Sequence, residues 1–459
     1  MADPFKPSLA EKLKSLGVRT GIRREDQEAN PDLITQREKK AQGHPIQSVV
    51  EGRFIPSRKG ETFVVEQDFP KDYLHGTTPI SPLPPLELIA QWAGDPRLRD
   101  IPLESLRFLD TETSGLSGGT GTYAFLVGVG RFDEGIFKLE QFFMRDPAEE
   151  RSMLEALAVS LAPGKALVTF NGKAFDAPLL KTRFILHSIP VPFDEFSHID
   201  LLPLSRRLWR DRLPLRTLKY LEENVLGAIR TSEEVPGYEI PYLYFDYLRS
   251  GDAIPLKGIF YHNAMDVVAL AALLHHTADM LADPLQESID HGLDRIALAK
   301  LFEDLGEWET AARLYERGLE QSLPEEDFWQ AVRRLSFLQR RRGDIETAVE
   351  LWGRAAQDGH VYAFIELAKY YEHRNVDHTI ALSWTRKAVE RVRELDIPRY
   401  EYRHWMEELS IREERLVRKS NREMKQPGNH RTSEGSKKKG KEKIVNERGG
   451  SNKRTQRRP

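Results

Sequence analysis

Phe108-Leu109-Asp110-Thr111-Glu112-Thr113-Ser114-Gly115-Leu116 is the stretch on which the fold of this chain turns. An apolar run ends in two carboxylates two residues apart, and strand alternation places both side chains on one face. Acids held that close repel each other unless a cation lies between them. The usual relief is a hard divalent ion, with carboxylate and water oxygens as ligands. A bare Asp-x-Glu can equally be a strand end followed by a solvated acid, so the flanking segments decide.

Outward from this stretch the periodicity is that of an α/β domain. Residues 107–110 read as a short strand. Residues 122–132 and 136–145 read as two more, joined by the hairpin turn Asp133-Glu134-Gly135. Asp146-Pro147 supplies a cap and a first-turn proline for a helix over 149–161. A buried strand at 166–170, a helix at 177–186, a strand end at 198–201 and a long amphipathic helix at 260–274 follow. Asp176 stands where the 166–170 strand turns into a helix. Such an Asp is ordinarily a cap, but a parallel pairing of 166–170 with 107–110 would bring it to the rim where open α/β sheets place ligands. On the long helix, His262 and Asp266 are four apart and share a face. Val267, Leu270, Leu273 and Leu274 mark the buried side, and Asp266 falls at its edge, where a charge needs a partner.

Taken together, Asp-Thr-Glu-Thr-Ser-Gly-Leu-Ser-Gly-Gly-Thr-Gly-Thr from Asp110, Asn-Gly-x-x-Phe-Asp-x-Pro from Asn171 and His-Asn-x-x-Asp-Val from His262 resemble the DEDD 3′→5′ exonuclease superfamily. The resemblance is closest to the bacterial YprB-type RNase H-like proteins, in which such a domain often precedes tetratricopeptide-like repeats. It covers about residues 47–285 and implies an RNase H-like α/β domain: a mixed sheet of three antiparallel strands plus parallel strands, with flanking helices. It also implies Asp110, Glu112, Asp176 and Asp266 as ligands of two Mg²⁺ or Mn²⁺ ions, and hydrolysis of phosphodiester bonds in single-stranded RNA or DNA. Members usually carry a Tyr four residues or a His five residues before the last Asp. Here His262 is four before and Tyr261 five before, the reverse of both. Helix geometry favours His262 as the residue that orients the attacking water.

Thr111, Asn171 and Tyr261, next to these acids, are candidate substrate contacts. So are Arg206, Arg207 and Trp209, since cations with an aromatic suit phosphates and a stacked base; an exposed amphipathic helix gives the same string. Asp200 reads either as support for the metal rim or as a helix cap. His275-His276 has no acid at ligand spacing and reads as structural. Gly118-Gly119-Thr120-Gly121 leads into a strand rather than a helix, which argues against a phosphate-cradling loop.

The 459 residues call for more than one structural unit. The absence of cysteine excludes disulfides, thiolate nucleophiles and thiolate-bound metals. With no leader pattern and no apolar window long enough for a membrane, the expectation is a cytoplasmic protein with no membrane partner. Residues 1–46 offer little beyond a short helical pattern at Leu9, Leu13 and Leu16. Residues 47–105 read as an extension, with strands at 48–50 and 62–66 and a helix at 86–92, that packs on a nuclease domain at 106–285. From 290 to 417 the chain is helical. Ala311, Leu314 and Tyr315 recur as Ala348, Leu351 and Trp352 and again as Ala381, Trp384 and Thr385, resembling a tetratricopeptide or Sel1-type array that could dock a protein partner. Residues 418–459 form a basic tail expected to be disordered and to add salt-dependent affinity for nucleic acid, with 13 Lys/Arg against 4 Glu from residue 421 onward. The competing reading is a catalytically silent adaptor that keeps the nuclease-like fold and binds nucleic acid or protein.

Overall fold

A computed structural model describes residues 43–57, 59–115 and 121–424. The described residues fall into two compact units, divided between residues 348 and 349. The first contains a mixed sheet in the order β1-β2-β7-β6-β5-β8-β9. Its strands are β1 (Arg53–Ser57), β2 (Gly60–Phe69), β5 (Leu106–Thr113), β6 (Ala124–Asp133), β7 (Ile136–Phe143), β8 (Ala166–Thr169) and β9 (Ser197–Asp200). A two-stranded hairpin, β3 (Leu74–His75) and β4 (Thr78–Pro79), lies apart from it. Strands β5, β6 and β7 run antiparallel, and β8 and β9 continue from β5 in parallel. This is the expected mixed sheet with flanking helices.

The strands form where the sequence alternates or is apolar throughout. β8 is buried at all four positions, as a parallel strand covered on both faces must be. Glu134 and Gly135, both at positive φ, make the tight turn that pairs Asp133 with Ile136. The region ahead of residue 106 is more than a cover: β2 pairs with β7 along seven residues, so it extends the same sheet. No strand forms at 48–50. Ile46–Ser48 is a 3₁₀ turn closed by the Ser48 hydroxyl donating to Pro45 O (2.7 Å), and the first strand among the described residues begins at Arg53.

Helices α1 (Glu87–Ala93), α2 (Glu150–Leu161), α3 (Asp176–Leu186), α4 (Leu201–Trp209), α5 (Leu218–Leu221), α6 (Ile240–Ser250) and α7 (Lys257–Ala282) flank the sheet. α5 and α6, with the π turn Glu222–Leu226 between them, have no counterpart in the sequence reading. α6 is held by Tyr244, fully buried and stacked on Phe125 with ring centroids 3.9 Å apart. α7 lies across β5, β6 and β7. Residues 254–282 are long and apolar enough to cross a membrane by length and composition, but 78% of their most apolar 18-residue stretch is buried inside the protein, as a central core helix requires.

Among the described residues, the chain beyond residue 290 is helical. α8 (Gly292–Asp304) packs on α4, with Arg212 on Asp294 (2.8 Å) and Lys300 on Asp211 (2.8 Å). α8, α9 (Trp308–Leu319) and α10 (Glu325–Arg342) thus belong to the same compact unit as the sheet. α11 (Ile345–Gln357), α12 (Val361–His373), α13 (His378–Glu394) and α14 (Arg399–Met424) follow. The recurring Ala311, Ala348 and Ala381 are fully buried, each within its own helix. α14 runs to Met424, past the 417/418 boundary read from the sequence. In the second unit, Glu372 gathers Arg412, Arg415 and Lys419, which ties the start of that expected tail to α12. The helical pattern at Leu9–Leu16, the Gly118–Thr120 run and the tail beyond 424 lie outside the described residues.

Candidate active site

Parallel pairing of β5 with β8 covers Leu106–Phe108, so Asp110 and Glu112 project beyond the C-terminal end of β8. α3 starts at Asp176 on the same rim. The hydroxyl of Thr111, between the two strand acids, donates to Asp176 Oδ1. The turn leading to α3 is fixed by Asp200, which accepts from Asn171 N (2.8 Å) and Lys173 N (3.1 Å) and also caps α4 through Leu202 N (3.1 Å). Asp200 therefore serves both as a cap and as a support of the rim. Asn171, at φ 68°, is a backbone element of this turn.

α7 brings the remaining groups because the sheet lets it approach. Asp110 pairs across the strands with Gly128. A Cβ at Gly128 would collide with Asn263 Oδ1 and come within 2.8 Å of Val267 Cγ2. In the space so gained, the fully buried Asn263 donates from Nδ2 to Asp110 Oδ2 (2.9 Å) and is itself oriented by Gln141 Nε2 (3.0 Å). His262 Nε2 lies 3.4 Å from Asp266 Oδ2 and 3.9 Å from Glu112 Oε1, and its Nδ1 is anchored on Glu234 (3.0 Å). Asp266 Oδ1 pairs with Arg230, whose remaining donors are taken by Glu222 and by Glu234 (3.0 Å).

The structure thus gathers Asp110, Glu112, Asp176, His262 and Asp266, with Thr111 among them. Tyr261 turns away from the acids, its hydroxyl accepting from Thr231 N (2.9 Å) and pinning the loop next to Arg230. The stacking groove read at 206–209 does not form. Trp209 is fully buried beside His276 and cannot stack on a base, and Arg207 is ion-paired with Asp304. Only Arg206 of that group is exposed. Arg230, Glu222, Glu234, Asn263 and Gln141 were not singled out as site residues from the sequence. Gln141, a polar residue in the apolar half of β7, carried the one local signal.

Burial and the neighbouring Asp266, Glu112 and Asp176 hold the Asp110 carboxyl well above the usual range. Burial likewise pushes Glu112 up to about 7 and Asp176 up to about 6, the latter against the hydrogen bond from Thr111. Asp266 is the exception: burial raises it, but the bond to His262 and the Arg230 charge bring it below the ordinary value. His262, which burial alone would lower, is carried up to about 11 by Asp266 and Glu234. Among the described residues, no three His, Asp or Glu side chains already stand spaced to hold a metal ion. The donor set nonetheless suits a hard divalent cation. It is all oxygen, it is half-buried, and on Asp110, Glu112 and Asp176 it has an excess of negative charge that a cation would relieve.

This predicts a pH-dependent response to metal. With raised carboxyls, the metal-free folded chain binds protons that the unfolded chain has released; that stabilisation is complete at low pH and is lost as pH rises through about 6 and 7. Mn²⁺ at a hundredfold excess over its Kd should add about 2.7 kcal/mol near pH 8, seen as a raised Tm, and much less near pH 5, where protons compete. Equal shifts at both pH values would contradict the assignment.

A profile of the RNase H superfamily matches residues 107–278. Members of that superfamily are typically nucleases that use divalent metals. The chain is also 34% identical over 327 residues to "Uncharacterized protein YprB" of Bacillus subtilis (strain 168), spanning 69% of this chain and 78% of that protein. On this similarity the chain belongs to the YprB family, with an RNase H superfamily domain built around the acid cluster.

Proposed function

We propose that the chain is a divalent-metal-dependent nuclease, a 3′→5′ exonuclease that hydrolyses single-stranded RNA or DNA. The observation that carries this reading is the convergence of Asp110, Glu112 and Asp176 from the sheet rim with Asp266 from α7. These four would hold two Mg²⁺ or Mn²⁺ ions, which when bound supply the charge that activates a water and stabilises a leaving 3′-oxygen. The polarity is taken from the family resemblance.

The protein's own groups have separable tasks. Asn263 and Gln141 fix Asp110, and Thr111 fixes Asp176, so the carboxylates are oriented before substrate arrives. Glu234 holds His262 Nδ1 and directs Nε2 toward Glu112 and Asp266. In that state His262 carries a proton and donates. It accepts a proton at Nε2 only once those two carboxylates are neutralised by other cations.

Incubation of labelled single-stranded RNA and DNA with Mn²⁺ or Mg²⁺ tests the reading: nucleotides are released, and EDTA stops the release. In the same assay His262→Ala loses about a hundredfold or more, the range of a general acid–base group. Tyr261→Phe costs about tenfold at most, the worth of one hydrogen bond to a loop. An inert His262 substitution would remove it from the mechanism. The adaptor reading draws on the Arg230–Asp266 pair, which partly neutralises the cluster without metal. It predicts binding of nucleic acid with no release under any metal.

A further inference from the structure

Asp266 differs from Asp110 and Asp176 in what it touches. Asp110 Oδ2 receives a neutral amide from Asn263, and Asp176 Oδ1 receives a neutral hydroxyl from Thr111. Asp266 meets a basic side chain on each oxygen, the permanently charged Arg230 on Oδ1 and the His262 imidazole 3.4 Å from Oδ2. The Arg230 side chain is 3% exposed, and every arm of its guanidinium is engaged. Nε and Nη2 hold Glu222, Nη1 holds Glu234, and Nη2 also reaches Asp266.

Glu222 is fully buried in the π turn, and its other oxygen lies 2.8 Å from His75 Nε2. His75 belongs to the β3–β4 hairpin, which also clasps this turn through Thr77 N and Oγ1 on Leu226 O (2.9 and 3.1 Å). A guanidinium anchored by two other carboxylates, one of them held in turn by His75 of the hairpin, cannot swing away when a second cation arrives.

We propose that Arg230 is a resident cation of the acid cluster, which competes with divalent metal for Asp266 and thereby holds the metal affinity of the site down. This rests on the metal-centre reading given above. A divalent ion that takes Asp266 as ligand must share the carboxylate with a fixed positive charge a few ångströms away, and that repulsion acts at close range in a poorly solvated place. The hairpin ahead of residue 106 becomes part of the metal-loading machinery through His75 and Glu222. Metal occupancy would then rise only at elevated divalent concentration, keeping the nuclease silent when metal is scarce.

The test is direct binding of Mn²⁺ alone, followed by electron paramagnetic resonance of the free ion, with folding verified by circular dichroism and thermal melting. Arg230→Met with Glu222→Gln removes both members of the buried pair and leaves no uncompensated charge between them. This variant is expected to bind Mn²⁺ at least tenfold more tightly than the wild type. In an Asp266→Asn background the same pair of changes is expected to produce no tightening, because the contested ligand is gone. Should the double variant not fold, Arg230→Gln is measured in the same way. Unchanged or weaker binding in a folded Arg230 variant would overturn the proposal and leave Arg230 a purely structural residue. Tightening that persists without Asp266 would overturn it too. A wild-type chain that binds no Mn²⁺ even at millimolar concentration, with Arg230 variants equally inert, would instead overturn the metal-centre reading itself.

Discussion

Asp110→Asn is expected to lower metal-dependent nucleotide release by about a thousandfold or more while leaving the fold intact. Asp110 is central to the cluster: burial and the neighbouring Asp266, Glu112 and Asp176 together hold its carboxyl well above the ordinary range. An amide at this position keeps the size and still accepts the Asn263 hydrogen bond, so the packing between β5 and α7 survives. What disappears is one of four negative charges that attract the cations. Lost charge stabilisation of several kcal/mol, at about 1.4 kcal/mol per factor of ten in rate, gives that magnitude. Because removing a charge from a repelling cluster relieves strain, the metal-free variant should melt at or above the wild-type temperature. Steady-state release rates, with Tm recorded in EDTA, check both halves.

Gly128→Val is expected to be nearly as damaging to activity by a different route, through the approach of α7 to the sheet. The new side chain would have to occupy the space of Asn263 Oδ1 and Val267 Cγ2, and Gly130 two residues on is just as close to Val267. α7 must lift from β6, which breaks the Asn263–Asp110 bond and separates Asp266 and His262 from the strand acids. Overpacking of this kind costs about 1–3 kcal/mol of stability. Misplacing ligands by about 1 Å costs about a hundredfold in rate. The expected result is a folded chain with a Tm lowered by several degrees and strongly reduced release. A Gly128→Val chain of wild-type activity would show that the close approach is not needed. Ala at the same position should show the same effect in milder form.

Much of this was legible in the sequence because the acids sit on regular elements. Asp110 and Glu112 end an apolar strand, Asp176 opens a helix, and His262 and Asp266 share a helix face, so short-range periodicity places each on its element, and the family resemblance is what joins them as one site. The parallel pairing of β8 with β5, which gives Asp176 its meaning, could only be posed as a condition. The residues that tune the cluster were not legible. Arg230 follows a π turn in a segment of no clear period, eight residues from Glu222 and thirty-six from Asp266, and nothing local joins the three. His75 is 147 residues from Glu222. Trp209 lies in the core for a reason the same periodicity carries. Leu201, Leu204, Ser205 and Leu208 are all buried, and Trp209 falls on that inward face beside Ser205, so composition suggested a groove where helical spacing placed core.

The claim on which the rest depends is that these four acids form the metal centre of an exonuclease. The most direct measurement is a time course with a 5′-labelled single-stranded oligonucleotide and Mn²⁺, run with the wild type and with Asp110→Asn. The wild type should produce a ladder of progressively shorter labelled products that EDTA abolishes, and Asp110→Asn should leave the substrate at full length. No cleavage under any divalent metal, or an undiminished ladder from Asp110→Asn, would contradict it.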